Sequence, residues 1–117
     1  MSTSNPTDVV ERFSRAWSSG DFDTARSLLA DDLHFEGPID TFRRADDYLK
    51  AIKGLHSMVK GVEHQATVAQ GGEVVHFYVL DTPMARAPVA EWFTVRDGQI
   101  MTLRAYFDAR PFAGAGH

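Results

Sequence analysis

The spacing of apolar residues changes once along the chain, at Gly61, and this change restricts the folds open to the sequence. Between residues 7 and 59 apolar residues recur mainly at helical intervals, apart from the short segment "LHFEGP", whereas after Gly61 they alternate with polar residues, as in strands. The pairs Gly71-Gly72 and Asp97-Gly98 are typical of tight turns between such strands. Helices followed by strands predict an α+β fold.

The pattern predicts three helices and five extended segments within one domain. The helices are "TDVVERFSRAWSSGD", "DFDTARSLLADD" and "RADDYLKAIKGLHSMV". The extended segments are "LHFEGP", "VEHQATVAQ", "EVVHFYVLD" and the two arms of the hairpin "AEWFTVRDGQIMTLRAYFDARPF". A chain of 117 residues has the size of a single domain. We expect residues 1–6 and 113–117 to be flexible.

Composition excludes several classes of function. The formal net charge is -4 and no cluster of Lys or Arg is present, so we expect no nucleic-acid partner. The chain contains no cysteine, which excludes disulfides, thiolate metal sites and cysteine nucleophiles. Its apolar runs are strand-sized and its first ten residues, "MSTSNPTDVV", are polar, so we expect a cytoplasmic protein without a membrane partner.

The closing hairpin raises the main question about function, because Glu91 stands among apolar residues. A two-residue Asp97-Gly98 loop places Glu91 opposite Arg104 as an ion pair, and a three-residue loop with a bulge places it opposite Leu103. The second register gathers the apolar residues on one face, so we predict it. Glu91 is then an ionisable group on an apolar face, where an unpaired charge is costly. A structural partner and a functional role both remain open.

Three segments resemble the nuclear transport factor 2 superfamily, in its SnoaL-like and ketosteroid-isomerase-like branches. They are "RFSRAWSSGDFDTARSLLADDLHFEGP", "FRRADDYLKAI" and "VRDGQIMTLRAYFD", and the similarity spans most of residues 8–110. The resemblance implies a cone, in which a strongly curved, mostly antiparallel sheet wraps around three helices, as in a cystatin-like α+β barrel. It also implies a ligand pocket inside the cone.

The isomerase branch places three chemical groups in that pocket, and this chain resembles it at one of them. Its general base precedes the proline of the opening strand, where this chain has Gly37. Its tyrosine on the first helix is matched by Phe13. Its protonated acid on the hairpin is matched by Glu91. In ketosteroid isomerase itself, an apolar site keeps this carboxylic acid neutral. The resemblance therefore implies a hydrogen-bond donor or acid at Glu91.

Three other residues are candidates for the remaining chemistry. Asp108, in "AYFDARP", resembles the acidic base of SnoaL-like cyclases, although strand alternation points it to the side of Arg104. His76 is a candidate base beside Glu91 if its face of the strand meets the pocket, and otherwise is a core or convex-face histidine. Tyr78 shares the face of His76 and is a candidate orienting group. Epoxide-hydrolase relatives need an Asp–Arg–Asp set. Asp81 and Arg86 of this chain fit the spacing of that set poorly.

The sequence thus supports two hypotheses about function. One is a cofactor-independent enzyme that performs isomerase-, cyclase- or dehydratase-type acid–base chemistry on an apolar carbonyl or polyketide-like substrate. The other is a non-catalytic module that binds an apolar ligand or a partner. Under either, the expected ligand is a small apolar or polycyclic molecule. Its predicted lining comprises Phe13, Trp17, Phe35, Met58, Phe93, Leu103, Ala105 and Phe107.

No motif indicates a bound metal or cofactor, and the outer face of the hairpin indicates a protein partner. No set of ligands with metal-site spacing and no glycine-rich loop between a strand and a helix is visible. The outer face combines large aromatics, hydroxyls and one Arg, which resembles an interface centre more than a solvated face. We therefore expect a homodimer through the convex sheet face, which carries Trp92, Thr94, Thr102, Arg104 and Tyr106.

Overall fold

The structure is a computed structural model that describes residues 5–113, so most of the two predicted flexible ends lies outside it. Its helices are α1 (Pro6–Ser18), α2 (Phe22–Ser27), α3 (Ala45–His56) and the short α4 (Arg110–Ala113). Its strands are β1 (Leu29–Glu36), β2 (Thr41–Phe42), β3 (Gly61–Gln70), β4 (Glu73–Asp81), β5 (Arg86–Arg96) and β6 (Gln99–Tyr106). No helix among residues 5–113 has the length and apolar character needed to cross a membrane.

Side-chain caps start the first two helices at the places that the sequence indicates. The side chain of Asn5 accepts a hydrogen bond from the backbone of Thr7 at 2.9 Å, and Pro6 occupies the first turn, where its missing N–H costs nothing. The side chain of Asp21 accepts from the backbone of Thr24 at 3.2 Å. Gly20 joins the two helices at φ 84, a left-handed conformation that favours glycine.

The six strands form one open sheet in the order β2-β1-β6-β5-β4-β3. All neighbouring strands are antiparallel except β1 and β6, which are parallel. The apolar faces of α1 and α3 pack with the inward residues of the sheet in one core, where Phe13 and Phe93 are completely buried. The predicted α+β class, with helices on one face of a mostly antiparallel sheet, is confirmed; β2 and β3 are free edges, so the sheet is not closed.

The second predicted helix is too long, because its last residues belong to a strand. Helix α2 ends at Ser27, and "LADDLHFE" forms β1. Leu29 and Leu33 are fully buried there, and β1 pairs with β6 on one side and β2 on the other. A short apolar run of this kind has no period that separates a buried strand from a helix, so the contacts across the sheet decide the outcome.

The predicted register of the closing hairpin is wrong, although the predicted division of its faces holds beyond the turn. Arg96 pairs with Gln99 around a two-residue turn, in which Asp97 and Gly98 have φ 53 and 76, as a type I′ turn requires. The register then shifts at Met101, an extra residue that forms a bulge. Glu91 consequently lies opposite Ala105 instead of Leu103. The bulge also buries Ile100 fully and leaves Met101 half-buried, whereas the predicted register places Met101 on the apolar face and Ile100 on the other.

The outer face of the sheet is not covered by any element of residues 5–113. It carries the hairpin residues that we predicted there, with Phe77 and Tyr106 exposed by 40% and 52%. The guanidinium of Arg104 lies 4.7 Å from the ring centre of Trp92, and the indole N–H of Trp92 donates to Glu73 at 2.6 Å. The result is a broad aromatic surface whose polar groups are already tied to one another.

Candidate functional site

A cavity of about 270 Å³ opens between α3, the inner face of the sheet and the C-terminal turn. Four residues of the predicted lining are part of it: Phe35, Met58, Ala105 and Phe107. Sequence reasoning missed several others, including Ile52 and Leu55 of α3, Leu80 and Val89 of the sheet, and Phe112 of α4. The walls are therefore almost entirely apolar, as in sites for small organic ligands.

The other four predicted lining residues belong to the core beneath the cavity. They are Phe13, Trp17, Phe93 and Leu103, none exposed by more than 4%. Phe13 packs edge-on against the ring of Phe93 with ring centres 6.0 Å apart, so its side chain holds α1 onto the sheet. Apolar spacing identifies the inward face of an element, but both a core residue and a cavity residue point inward.

Glu91 supplies the buried carboxyl of the cavity. Strand β5 directs its side chain inward between Val89 and Phe93, and the residue is only 6% exposed. Burial raises the pKa of Glu91 from 4.5 to about 7, and hydrogen bonding by Tyr78 partly opposes that rise. Its Oε1 atom is buried and has no hydrogen-bond partner among the described residues. An unsatisfied oxygen of this kind is uncommon in folded proteins, and the residue that carries it lines the cavity.

Two tyrosines lie beside Glu91 and also line the cavity. Burial, reinforced by the nearby Glu91 charge, raises the pKa of both Tyr48 and Tyr78 well above the ordinary value. Both phenols therefore stay protonated at neutral pH and can act as hydrogen-bond donors. Tyr48 comes from α3, where its ring stacks on Phe35 at 4.7 Å. The sequence indicated Tyr48 only as an inward residue of a helix. Nothing in the neighbouring sequence identified it as a hydrogen-bonding residue of the site.

His76 is buried on the inner face of β4 and is the strand partner of Glu91, but its side chain lines a different cavity. Its Nδ1 atom lies 3.1 Å from the Ser14 hydroxyl, and its Nε2 atom lies 2.7 Å from Nδ1 of His64. Burial, followed by the proximity of His64, lowers the pKa of His76 to about 4. The side chain lines a second cavity with Ser14 and His64, and it is not part of the lining around Glu91.

Asp108 lies outside the cavity. The Arg110 guanidinium and backbone hold both carboxylate oxygens, with the shortest contact at 2.7 Å, and these hydrogen bonds lower the pKa of Asp108 to about 2. Strand β6 ends at Tyr106, so the residues after it no longer follow strand alternation. Asp81 and Arg86 are also not part of the lining, and Arg86 pairs with the exposed Glu63 at 2.7 Å.

Gly37, at the position that the resemblance assigns to a base, lies in the wall of the cavity without a side chain. A Cβ atom built there would lie 3.0 Å from the ring of Phe35, so an acidic residue would displace that ring. No group of three His, Cys, Asp or Glu residues within residues 5–113 has a geometry that could hold a metal ion.

Comparisons with known proteins agree with this fold. The SnoaL-like domain family matches residues 10–103. A protein of Kribbella flavida DSM 17836 has a structure with TM-score 0.88 at 30% identity, covering 98% of this chain and 95% of that one. An LEH-like epoxide hydrolase of M. tuberculosis has TM-score 0.75 at 28% identity, covering 91% and 84%. No curated protein matches the sequence.

A third structure is similar at the level of the fold. A putative polyketide cyclase from Xanthomonas campestris pv. campestris has TM-score 0.74 at 20% identity, covering 90% of this chain and 91% of that one. The family match extends over most of the described residues and includes the strands that carry Tyr78 and Glu91. The chain is a member of the SnoaL-like domain family, within the nuclear transport factor 2-like fold.

Proposed function

We propose that the protein is a small-molecule enzyme that uses cofactor-independent acid–base chemistry on a small apolar carbonyl or polyketide-like compound. The observation that carries this proposal is Glu91, a buried carboxyl with a pKa near neutrality and one unsatisfied oxygen in an apolar cavity. A general acid or base works best when its pKa lies near the working pH, because both protonation states are then accessible.

The chemistry that fits this arrangement is the movement of a proton within one bound molecule. Ionised Glu91 can remove a proton from a carbon next to a carbonyl, and the resulting acid can return it to another atom of the same substrate. Tyr78 and Tyr48 stay protonated and can donate hydrogen bonds to the oxygen on which negative charge develops. The predicted base roles of His76 and Asp108 gain no support from this geometry, so we assign the proton transfer to Glu91.

The volume of the cavity limits the substrate. An apolar cavity of about 150 Å³ is enough to hold benzene, and drug-sized ligands occupy about 300–1,000 Å³. At about 270 Å³ the cavity suits one or two rings, or a short chain that can fold on itself, better than a four-ring compound. Apolar walls around one buried carboxyl and two hydroxyls favour a ligand with a single oxygen-bearing end, while the second carboxyl of the lining, Asp40, is exposed.

A second candidate is a binding module without chemistry. It is favoured by Gly37, which leaves the cavity without the base that the isomerase branch places there. In this case the neutral form of Glu91 and the two phenols act only as hydrogen-bond donors to a bound carbonyl. The similarity to an epoxide hydrolase at 28% identity does not add a third candidate, because Asp81 and Arg86 lie outside the cavity.

Recovery of the natural ligand distinguishes these candidates. The protein is purified from its own source, its bound molecules are released and identified by mass spectrometry, and the identified compound is incubated with fresh protein. We expect an apolar carbonyl compound whose hydrogens exchange with deuterated water or whose skeleton rearranges during incubation. A ligand that is bound in the cavity and recovered without exchange or rearrangement would support the binding module instead.

We further propose that two copies of the chain pair through the outer face of the sheet. Phe77, Trp92 and Tyr106 form an aromatic surface there, and a two-fold axis would set each of them against the same surface of a second copy. Aromatic side chains gathered on one face are more typical of an interaction surface than single exposed apolar residues, which monomers tolerate. The Trp92 indole and Arg104 are suited to the centre of an interface.

Sedimentation of a Trp92→Glu variant tests this assembly. We expect the wild-type protein to sediment as a dimer at micromolar concentration and the variant as a monomer, since the change removes the indole and buries an added carboxylate beside Arg104 and Glu73, where its desolvation is costly. Lys50→Glu on the exposed side of α3 is the matched control and should remain dimeric. A monomeric wild type, or a Trp92→Glu variant that dimerises equally well, would contradict the proposal.

A further inference from the structure

A second cavity of about 350 Å³ lies on the other side of α1, against β3 and β4. Ser14 and Arg15 of α1 face it, together with His64 of β3 and His76 of β4. It is separate from the cavity around Glu91, with which it shares no lining residue. The extra residue Gln65 in β3 shifts the register beside His64, and His64 meets His76 there although Tyr78 is its direct strand partner.

Three side chains form a continuous hydrogen-bonded relay in this cavity. The Ser14 hydroxyl lies 3.1 Å from Nδ1 of His76, and Nε2 of His76 lies 2.7 Å from Nδ1 of His64. The two imidazole planes are 26° apart with ring centres at 4.8 Å, and the 2.7 Å distance between the two nitrogens is too short for stacked rings, so the rings meet nearly edge to edge. A lone pair on one ring therefore faces an N–H on the other, as a short hydrogen bond requires.

The relay has two proton arrangements, and one of them activates Ser14. In that arrangement His76 carries its proton on Nε2 and donates it to His64, which leaves Nδ1 free to accept the proton of the Ser14 hydroxyl. A hydroxyl bonded to an imidazole that a third group orients is the general design of an activated serine nucleophile. Ser14 is half-buried but lines the solvent-open cavity, so a small molecule can reach it.

We propose that Ser14 is an acyl-acceptor site that takes acyl groups from small activated esters entering the second cavity. The Ser14 oxygen forms a bond to the carbonyl carbon of the ester, and its proton moves to Nδ1 of His76. The carbonyl electron pair becomes an oxyanion, whose collapse breaks the bond to the leaving alkoxide or phenolate. That group takes the proton back from His76, so the products are an ester of Ser14 and a free alcohol or phenol.

The surroundings set both the chemistry and the pace of this reaction. His76 is uncharged at neutral pH because its pKa is lowered to about 4, so it can accept a proton, but the same low pKa makes it a weak base. Arg15 and Glu11 both line the cavity, so the positive charge that would favour the oxyanion is offset by a negative one. Hydrolysis of the acyl-serine would need water activated by the same weak base. We therefore expect slow, accumulating acylation of Ser14 and little turnover.

Acetylation by p-nitrophenyl acetate tests this site in the full chain. We expect intact-mass analysis to show one acetyl group added, peptide mapping to place it on Ser14, and Ser14→Ala to lose it. Ser19→Ala is the matched control, since Ser19 caps the end of α1 outside this cavity and its hydroxyl donates to the backbone of Ala16 at 3.1 Å. Absence of acetylation, acetylation at another residue only, or an equal rate in denatured protein would overturn the proposal.

His64 gives a second test, because it is a positioning residue at an exposed site where substitution does not threaten the fold. We expect His64→Ala to slow acetylation of Ser14 by about tenfold or more, since His76 then lacks the acceptor that fixes its tautomer. His64→Gln should recover part of the rate, because its amide oxygen can accept the same hydrogen bond. Equal rates in the wild type and both variants would show that the His64 contact has no part in activating Ser14.

Discussion

Glu91→Gln is expected to lower turnover of the natural substrate by ~10²–10⁴-fold, the usual cost of removing a general acid or base. The amide keeps the size of the side chain and can still donate a hydrogen bond, but it cannot take up or release a proton. The expected loss is in kcat, because the substrate still fits the unchanged apolar walls. The measurement is a comparison of kcat and KM for the two proteins with the compound recovered from the cavity.

Asp108→Asn is the matched control for that experiment. It makes the same carboxyl-to-amide change, but at an exposed residue paired with Arg110 and outside the cavity. We expect its kcat to equal that of the wild type. A loss confined to Asp108→Asn would place the chemistry near the end of β6, as the resemblance to cyclases implied. An unchanged kcat in Glu91→Gln would remove the acid–base proposal and leave the binding module.

The predictions from sequence succeeded where the alternation of apolar and polar residues along a strand assigns each side chain to one face of the sheet. The alternation of "AEWFTVR" placed Glu91 on the apolar face, even though the predicted hairpin register was wrong by two residues. A shift by an even number of residues keeps every side chain on its face, whereas a shift by one would have reversed it. Our choice of a three-residue loop located the irregularity in the turn, but the structure has it at Met101.

The site was predicted less completely than the fold, because its parts come from elements distant in sequence. Tyr48 lines the cavity of Glu91 from α3, and no local pattern separates it from the core residues beside it. Ser14 and His64 stand fifty residues apart on unremarkable segments, and only the packing of α1 on β3 and β4 brings them to His76. A tertiary relay of this kind has no signature in sequence, whereas an isolated carboxyl on an apolar strand face does.

The pH dependence of stability gives a test of Glu91 that needs no substrate. Its pKa is 4.5 when exposed and about 7 in the fold, because burial disfavours the charged form. Below pH 4.5 both states are protonated and the folded protein has its full stability. As the pH rises toward 7 the unfolded chain loses this proton first, so stability falls by about 3 kcal/mol and then levels off.

His76 changes the free energy of unfolding with pH in the opposite direction, over nearly the same pH range. Its pKa falls from 6.5 to about 4 in the fold, since burial and the nearby His64 disfavour the imidazolium. Its contribution is therefore complete above pH 6.5 and is lost as the pH falls toward 4. The two slopes oppose each other between pH 4.5 and 6.5, so the wild-type profile by itself hides both. The difference between the wild type and a Glu91 variant isolates the carboxyl.

We expect Glu91→Gln to become more stable relative to the wild type as the pH rises from 4.5 to 7, by about 3 kcal/mol in total, with no further change above pH 7. Urea denaturation of both proteins across this range measures the difference. Asp108→Asn should show no such trend, because its pKa of about 2 and ordinary value of 3.8 confine its effect to more acidic solutions. A Glu91→Gln difference that stays constant with pH would mean that the carboxyl is not buried as a neutral acid. A variant that gains stability while losing turnover would show that Glu91 is kept for its chemistry at a cost to the fold.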